Sequence, residues 1–168
     1  MCQLRRLPAT PVLCLRRSLP AAQADAFYRS AFAELERYAL LLALEPPGAF
    51  YTLNTALPGG LTACEAGFAL PGALTMPGSS SGIRAGEIPA GAYACALHRG
   101  PYDQCGATRA ALLCWARGLG WHPRPAVYEW FYRALQHLPA ELHTEIWLPL
   151  EPARAPAFNL LDERVFQA

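Results

Sequence analysis

Apolar positions change period along this chain. Phe27, Ala31, Leu35, Tyr38 and Leu42 recur at steps of three and four, with Asp25, Arg29, Glu36 and Arg37 between them. That is the period of a helix with one buried stripe. It predicts a helix over residues 21–44, opened by Leu19-Pro20 and ended by Pro46-Pro47-Gly48. Before it, residues 11–17 read as a strand of mixed polarity. After it, residues 49–54 and 61–70 are rich in aromatic and β-prone side chains and flank the turn Pro58-Gly59-Gly60, so both are expected strands. Residues 71–82, rich in Gly, Ser and Pro, make a flexible loop at the natural seam of the chain. The same order then returns. A strand is expected over 88–98, a break at Gly100-Pro101, and a helix over 102–119 with Ala107, Ala110, Leu113 and Cys114 as its apolar stripe. Gly118 and Gly120 end that helix; strands over 126–133 and 141–150 follow, with Leu138-Pro139 in the loop between them. The tail, 154–168, carries Phe158, Leu160, Leu161, Val165 and Phe166 and is expected to pack down, at a place its pattern does not fix.

The return is visible in the letters. Leu7-Pro8-Ala9 matches Ile88-Pro89-Ala90 at an offset of 81, Tyr51 matches Tyr128 at 77, and Glu65 matches Glu145 at 80. The changes of offset fall in the loops after the helix and in the hairpin, where length varies freely. Repeats over about 7–70 and 88–150, joined by the loop 71–87, therefore predict an α+β domain spanning 1–168. Two β-α-β-β units would build one largely antiparallel sheet, with two helices on one face and a ligand cleft on the other. Neither unit alone has two layers of any size, so both are needed for the core.

Composition narrows the rest. The chain has 168 residues, 18.3 kDa and 53% hydrophobic residues, enough for one folded core. A net charge of +1 supplies no field for nucleic acid or an anionic membrane. No apolar run approaches the ~20 residues that span a bilayer, and no export signal opens the chain, so the cytoplasm is the expected compartment. Cys2, Cys14, Cys64, Cys95, Cys105 and Cys114 show neither CxxC nor zinc-finger spacing. They are expected to be reduced, apolar fillers, and no metal or cofactor is expected.

The segment richest in chemistry is Val127-Tyr128-Glu129-Trp130-Phe131-Tyr132. Strand alternation puts Val127, Glu129 and Phe131 on one face and Tyr128, Trp130 and Tyr132 on the other. A carboxylate amid such neighbours needs a partner, a raised pKa or a ligand. Its counterpart in the first repeat is Thr52, so the fold unit itself does not demand it. Structurally, Arg133 or Arg99 would pair with it; functionally, it would sit in a site; the pattern leaves both open. Glu65 and Glu145, matched by the repeat, point to a shared cross-strand ion pair. His98, before Gly100-Pro101, reads as a capping or surface histidine, and Trp115 as core.

The runs Ile88-Pro89-Ala90-Gly91-Ala92-Tyr93-Ala94, His98-Arg99-Gly100-Pro101-Tyr102, Tyr128-Glu129-Trp130-Phe131 and Thr144-Glu145-Ile146-Trp147-Leu148-Pro149 resemble the GyrI-like small-molecule-binding domain. That family includes the effector-binding domains of AraC-type and MerR-type multidrug regulators; the stand-alone form, without a DNA-binding domain, is the one expected here. The resemblance covers essentially the whole chain and is best in the second half. It implies an aromatic-lined pocket whose Glu, here Glu129, meets lipophilic cations, with Phe131, Tyr102, Trp147, Trp121, Phe50 and Thr52 as the expected lining. Small-molecule binding is the favoured reading. The alternative is hydrolysis of strained cyclopropane-type DNA alkylators, with Glu129 as base and Tyr102 or Tyr132 as proton donor. A second alternative, suggested by the family's name, is a protective interaction with gyrase.

Overall fold

The computed structural model describes residues 1–45, 47–72, 82–132 and 143–152. Nine strands and two helices follow in the order β1 (Cys2–Leu7), β2 (Thr10–Pro20), α1 (Ala24–Leu41), β3 (Ala49–Ala56), β4 (Leu61–Ala69), β5 (Arg84–Ile88), β6 (Gly91–Arg99), α2 (Cys105–Gly118), β7 (Trp121–Pro123), β8 (Ala126–Tyr132) and β9 (His143–Pro152). They form one antiparallel sheet of order β1-β6-β9-β8-β3-β4-β2-β5, with β7 added beside β9. Exchanging β1 with β5, β2 with β6, β3 with β8 and β4 with β9 reads the same order backwards. The units β2-α1-β3-β4 and β6-α2-β8-β9 thus meet at the β3–β8 pair. In that pair Thr52 lies opposite Glu129. These two residues are also each other's repeat counterparts, so the pseudo-two-fold axis passes between them.

The residue pattern explains most of this. α1 buries Phe27, Tyr28, Ala31, Leu35 and Ala39, close to the expected stripe. α2 differs: it buries Cys105, Leu112 and Ala116, while Ala107, Ala110 and Cys114 are exposed. Alanine carries little burial signal, so several stripes fit this helix equally. The expected strand over 88–98 is really two. Pro89-Ala90 separates β5 from β6, as Pro8-Ala9 separates β1 from β2. Each short leading strand crosses to the other unit, β1 onto β6 and β5 onto β2. The offset falls from 81 to 77 because α2, with 14 residues, is about one turn shorter than α1 with 18. The expected loop around Leu138-Pro139 and the tail 154–168 lie outside the described residues.

Both helices cover one sheet face. α1 packs on Leu13, Leu15, Phe50, Cys64, Ala66 and Phe68, and α2 on Ala94, Ala96, Ile146, Leu148 and Leu150. The opposite face is filled by its own rings. Tyr51 meets Trp130 at 5.1 Å between centroids, Trp130 meets Trp147 at 4.9 Å, and Tyr93 meets Trp147 at 6.0 Å. Glu65 and Glu145 stand at the edges of this aromatic layer. Arg16 pairs with Glu65 at 3.0 Å from the neighbouring strand, and Arg5 with Glu145 at 2.6 Å from one strand further. The phenols of Tyr51 and Tyr132 donate to the same two carboxylates at 2.8 and 2.7 Å. The shared ion-pair role expected from the repeat is met in both units. The six cysteines are free thiols, five of them at least partly buried.

Two outcomes follow. Gly67 lies beneath the Tyr51 ring; a Cβ there would stand 2.7 Å from the Leu13 carbonyl oxygen and 2.7 Å from Tyr51 Cε1. Because one neighbour is backbone and cannot move aside, Gly67→Ala should lower unfolding stability by about 1–3 kcal/mol in denaturant titration. The second outcome concerns pH. Burial pushes the phenols of Tyr28, Tyr51, Tyr93, Tyr102, Tyr128 and Tyr132 above their ordinary value. In the unfolded chain they ionise near about 10. Stability should therefore be intact below that pH and fall as pH rises through the higher folded values. The phenolate absorbance of these six should appear together with loss of near-UV circular dichroism, not before it.

Candidate functional site

Alternation along β8 sends Glu129 to the helix-bearing face, together with Val127 and Phe131. The cleft expected on the opposite face is therefore, for this carboxylate, a gap between the two helices. The reason is that ring packing fills the other side. Glu129 has no exposed surface. Side chains of both units surround it.

Tyr102 is the nearest partner. It sits in the 3-10 turn Tyr102–Gln104 that leads into α2. Its hydroxyl donates to Glu129 Oε2 at 2.7 Å. That turn is tied down by His98, which is 7% exposed. His98 Nε2 lies 3.0 Å from the Pro101 carbonyl oxygen, and Nδ1 2.9 Å from Thr108 Oγ1. A carbonyl only accepts, so Nε2 carries the proton and Nδ1 accepts from the threonine. His98 is thus a positioning residue for the start of α2, buried and not on the surface. Gly100, at φ +119°, makes the sharp turn that brings Tyr102 over the sheet.

Arg109, on α2, is the ionic partner. Its Nε is 3.4 Å from Glu129 Oε1, within ion-pair range. Neither atom makes a hydrogen bond, however, and both are buried. Thr52 Oγ1 across the strand pair is a third buried polar atom without a partner. Buried polar groups are nearly always satisfied, so three orphans at one spot mark a place built for something further. The walls are aromatic. Tyr102 and Phe131 meet at 5.5 Å, and Phe32 of α1 meets Phe131 edge-on at 6.3 Å. Tyr28 stacks on Phe32 at 6.2 Å and donates its hydroxyl to Asn54 Oδ1 at 2.7 Å. The cleft bounded by Tyr28, Phe32, Thr52, Tyr102 and Phe131 has a volume of about 270 Å³, with Asp25 and Arg29 at its mouth.

Of the expected lining, Glu129, Phe131, Tyr102 and Thr52 come together. Phe50 lies one layer off, against Phe32 at 5.1 Å. Trp147 and Tyr132 belong to the opposite face, so Tyr132 cannot serve this carboxylate as a proton donor. Trp121 is in the edge strand β7, packed with the α2 cluster. Arg99 shares the parity of Tyr93 and Cys95 and points away; Arg133 lies outside the described residues. The real counter-ion came from the helix layer, where strand reasoning did not look. The repeat held a signal for it: the helix offset of 81 puts Arg109 at the place of Tyr28, the other missed residue. Among the described residues no group of three or more His, Cys, Asp or Glu could hold a metal ion. No described helix is long and apolar enough to cross a membrane.

This architecture has known counterparts. EcmrR in its DNA complex aligns at a TM-score of 0.69 and 20% identity over 90% of this chain, which spans 57% of that one. The isolated EcmrR C-terminal domain aligns at 0.65 and 18% identity, over 90% of this chain and 98% of that one. SAV2435, bound to tetraphenylphosphonium, aligns at 0.59 and 11% identity, over 90% and 94%. A hydrolase from Listeria innocua aligns at 0.59 and 11% identity, over 89% and 91%. At these identities the likeness is one of fold. No curated protein matches in sequence. The GyrI-like small molecule binding domain matches residues 1–151, a span that takes in both units, the pair Thr52–Glu129 and the first turn of α2. The chain belongs to that family.

Proposed function

We propose that the chain binds flat or globular lipophilic cations in the cleft between α1 and α2, with Glu129 as the charge that selects them. The observation that carries this reading is the carboxylate itself: fully buried, with one oxygen lacking any hydrogen bond, and set behind Tyr102 and Thr52, which line an aromatic cleft with Tyr28, Phe32 and Phe131. A desolvated carboxylate and aromatic faces both favour a delocalised cation. Stacking and charge ask little of exact shape, so several ligands should share the site. The SAV2435 structure, with its phosphonium ligand, supports a cation of this class for the fold.

Arg109 then has a defined part. It neutralises Glu129 while the cleft is empty. Its side chain is 38% exposed, so it can leave toward solvent when a ligand arrives. The bond it gives up is a long one, 3.4 Å without hydrogen-bond geometry.

Hydrolysis is a second reading, favoured by the Tyr102–Glu129 pair. Burial, and then the charge of Glu129, raise the Tyr102 phenol above its ordinary value, so it keeps its proton at neutral pH. Glu129 Oε1 would take a proton from water as that water attacks a strained ring carbon. Tyr102 would give its proton to the ring atom that leaves, and proton exchange with solvent would restore both groups.

The two readings separate in one experiment. Tetraphenylphosphonium and the neutral triphenylphosphine oxide are titrated into wild type and Glu129→Gln. The substitution should weaken the cation by at least about tenfold, ~1.4 kcal/mol, and leave the neutral compound nearly unchanged. Equal losses would show that Glu129 shapes the cleft without selecting charge. Turnover of a cyclopropane electrophile by wild type, lost in both Glu129→Gln and Tyr102→Phe, would make the site catalytic. A further expectation concerns Arg109→Gln. Removing the internal competitor should tighten phosphonium binding several-fold. It should also lower ligand-free stability by about 3 kcal/mol, because a buried charge loses its partner. Weaker phosphonium binding in this variant would show that Arg109 organises the cleft and does not compete for it.

A further inference from the structure

The two units differ most beside their helices. In the first, Phe32, Phe50 and Phe68 pack in succession under α1, with ring centroids 5.1 and 5.9 Å apart. The offsets relating the units are 81 between the helices, 77 from β3 to β8 and 80 from β4 to β9. They place Leu113, Val127 and Leu148 at those three positions. Three rings are replaced by aliphatic side chains, and the second unit has a groove of about 410 Å³ there, between α2 and the chain from β7 to β8.

Its floor is apolar, formed by those three residues. Its rim is basic: Arg109, Arg117 and Arg124 all line it, and no carboxylate among the described residues does. The matching positions of the first unit are Tyr28, Glu36 and Pro47, so the basic rim also belongs to the second unit alone. Arg124 pairs with Glu151 at 2.9 Å, with the two side chains 55% and 57% exposed; such pairs contribute little. Arg117, in the last turn of α2, has no acidic partner among the described residues. Arg109 lines this groove and reaches from it to Glu129.

We propose that the groove is a second binding site, for an amphipathic carboxylate. Arg117 and Arg124 take the head group through charge-assisted hydrogen bonds, which a guanidinium makes in a two-pronged geometry that matches a carboxylate. The tail lies on Leu113, Val127 and Leu148. The opposite charge preference distinguishes this site from the Glu129 cleft, and it stands whether or not that cleft binds cations.

Octanoate is the probe, titrated calorimetrically into the full chain, with octan-1-ol as the neutral control of equal tail. Saturable octanoate binding with a dissociation constant below about 1 mM, tighter than that of the alcohol, is expected. The double substitution Arg117→Gln and Arg124→Gln changes two surface residues and should weaken octanoate at least about tenfold while leaving the alcohol unchanged. Leu148→Phe, which restores the ring of the first unit, should abolish both. Glu129→Gln should not weaken octanoate. The proposal is overturned if wild type shows no saturable binding at about 1 mM, or if the alcohol binds as well as the carboxylate. It is also overturned if the arginine variant binds octanoate unchanged, or if Glu129→Gln abolishes binding and so places the ligand in the helix cleft.

Discussion

A carboxylate with no access to water must be held by its surroundings, and much of the second unit is arranged around that need. Glu129 sits at the middle of the central strand pair, where desolvation is costliest. Tyr102 and Arg109 reach it from either side of the start of α2. For both to arrive, the chain must turn sharply at Gly100 and the turn must stay fixed, which His98 does by bonding Pro101 and Thr108 at once. The turn at Gly100 and the histidine that ties it thus both serve to hold partners against one buried charge. Even so the arrangement is incomplete: Glu129 Oε1, Arg109 Nε and Thr52 Oγ1 stay without hydrogen bonds. A core selected for stability alone would have closed that gap or placed an apolar residue there.

The sheet decides which side this happens on. Its antiparallel strands carry side chains on two faces, and a duplicated unit doubles both. One face received Tyr51, Tyr93, Tyr128, Trp130 and Trp147, whose rings pack against one another. The other is covered by two separate helices, which cannot seal the line where they part. The pseudo-two-fold axis runs along that line. Thr52 and Glu129 are equivalents that face each other across it, and there the two units differ.

Much of this was legible in the letters. The period of Phe27 to Leu42, the recurrence of Pro-Ala before each long strand and the match of Tyr51 with Tyr128 were enough for the order strand, helix, strand, strand that the chain runs through twice. Parity alone put Glu129 with Phe131 and apart from Trp130. Strand logic failed where the partner came from another layer. Arg109 is remote from Glu129 in sequence and on a helix whose alanines hide its orientation, so neighbouring-strand arginines looked as good. Trp147 and Trp121 were misplaced for a related reason. An aromatic residue on a sheet marks burial, and only the filling of the far face tells which side a pocket is on. The leading strands β1 and β5 were missed because each pairs with the other unit, a long-range contact that local pattern does not record.

Symmetry between the units therefore works as a reference against which single residues can be read. Where both units agree, as in Glu65 and Glu145 with their arginines, the residue answers a need of the sheet. Where they differ, the fold has shown that it tolerates the alternative, so the choice was made for another reason. Thr52 against Glu129 is one such difference, and it lies in a cleft. The run of three phenylalanines against Leu113, Val127 and Leu148 is another, and it leaves a groove. Tyr28 against Arg109 is a third, and Arg109 lines the groove and reaches from it to Glu129. The departures from the repeat are not scattered over the surface. They gather on one side of α2, and they give the two spaces opposite charge.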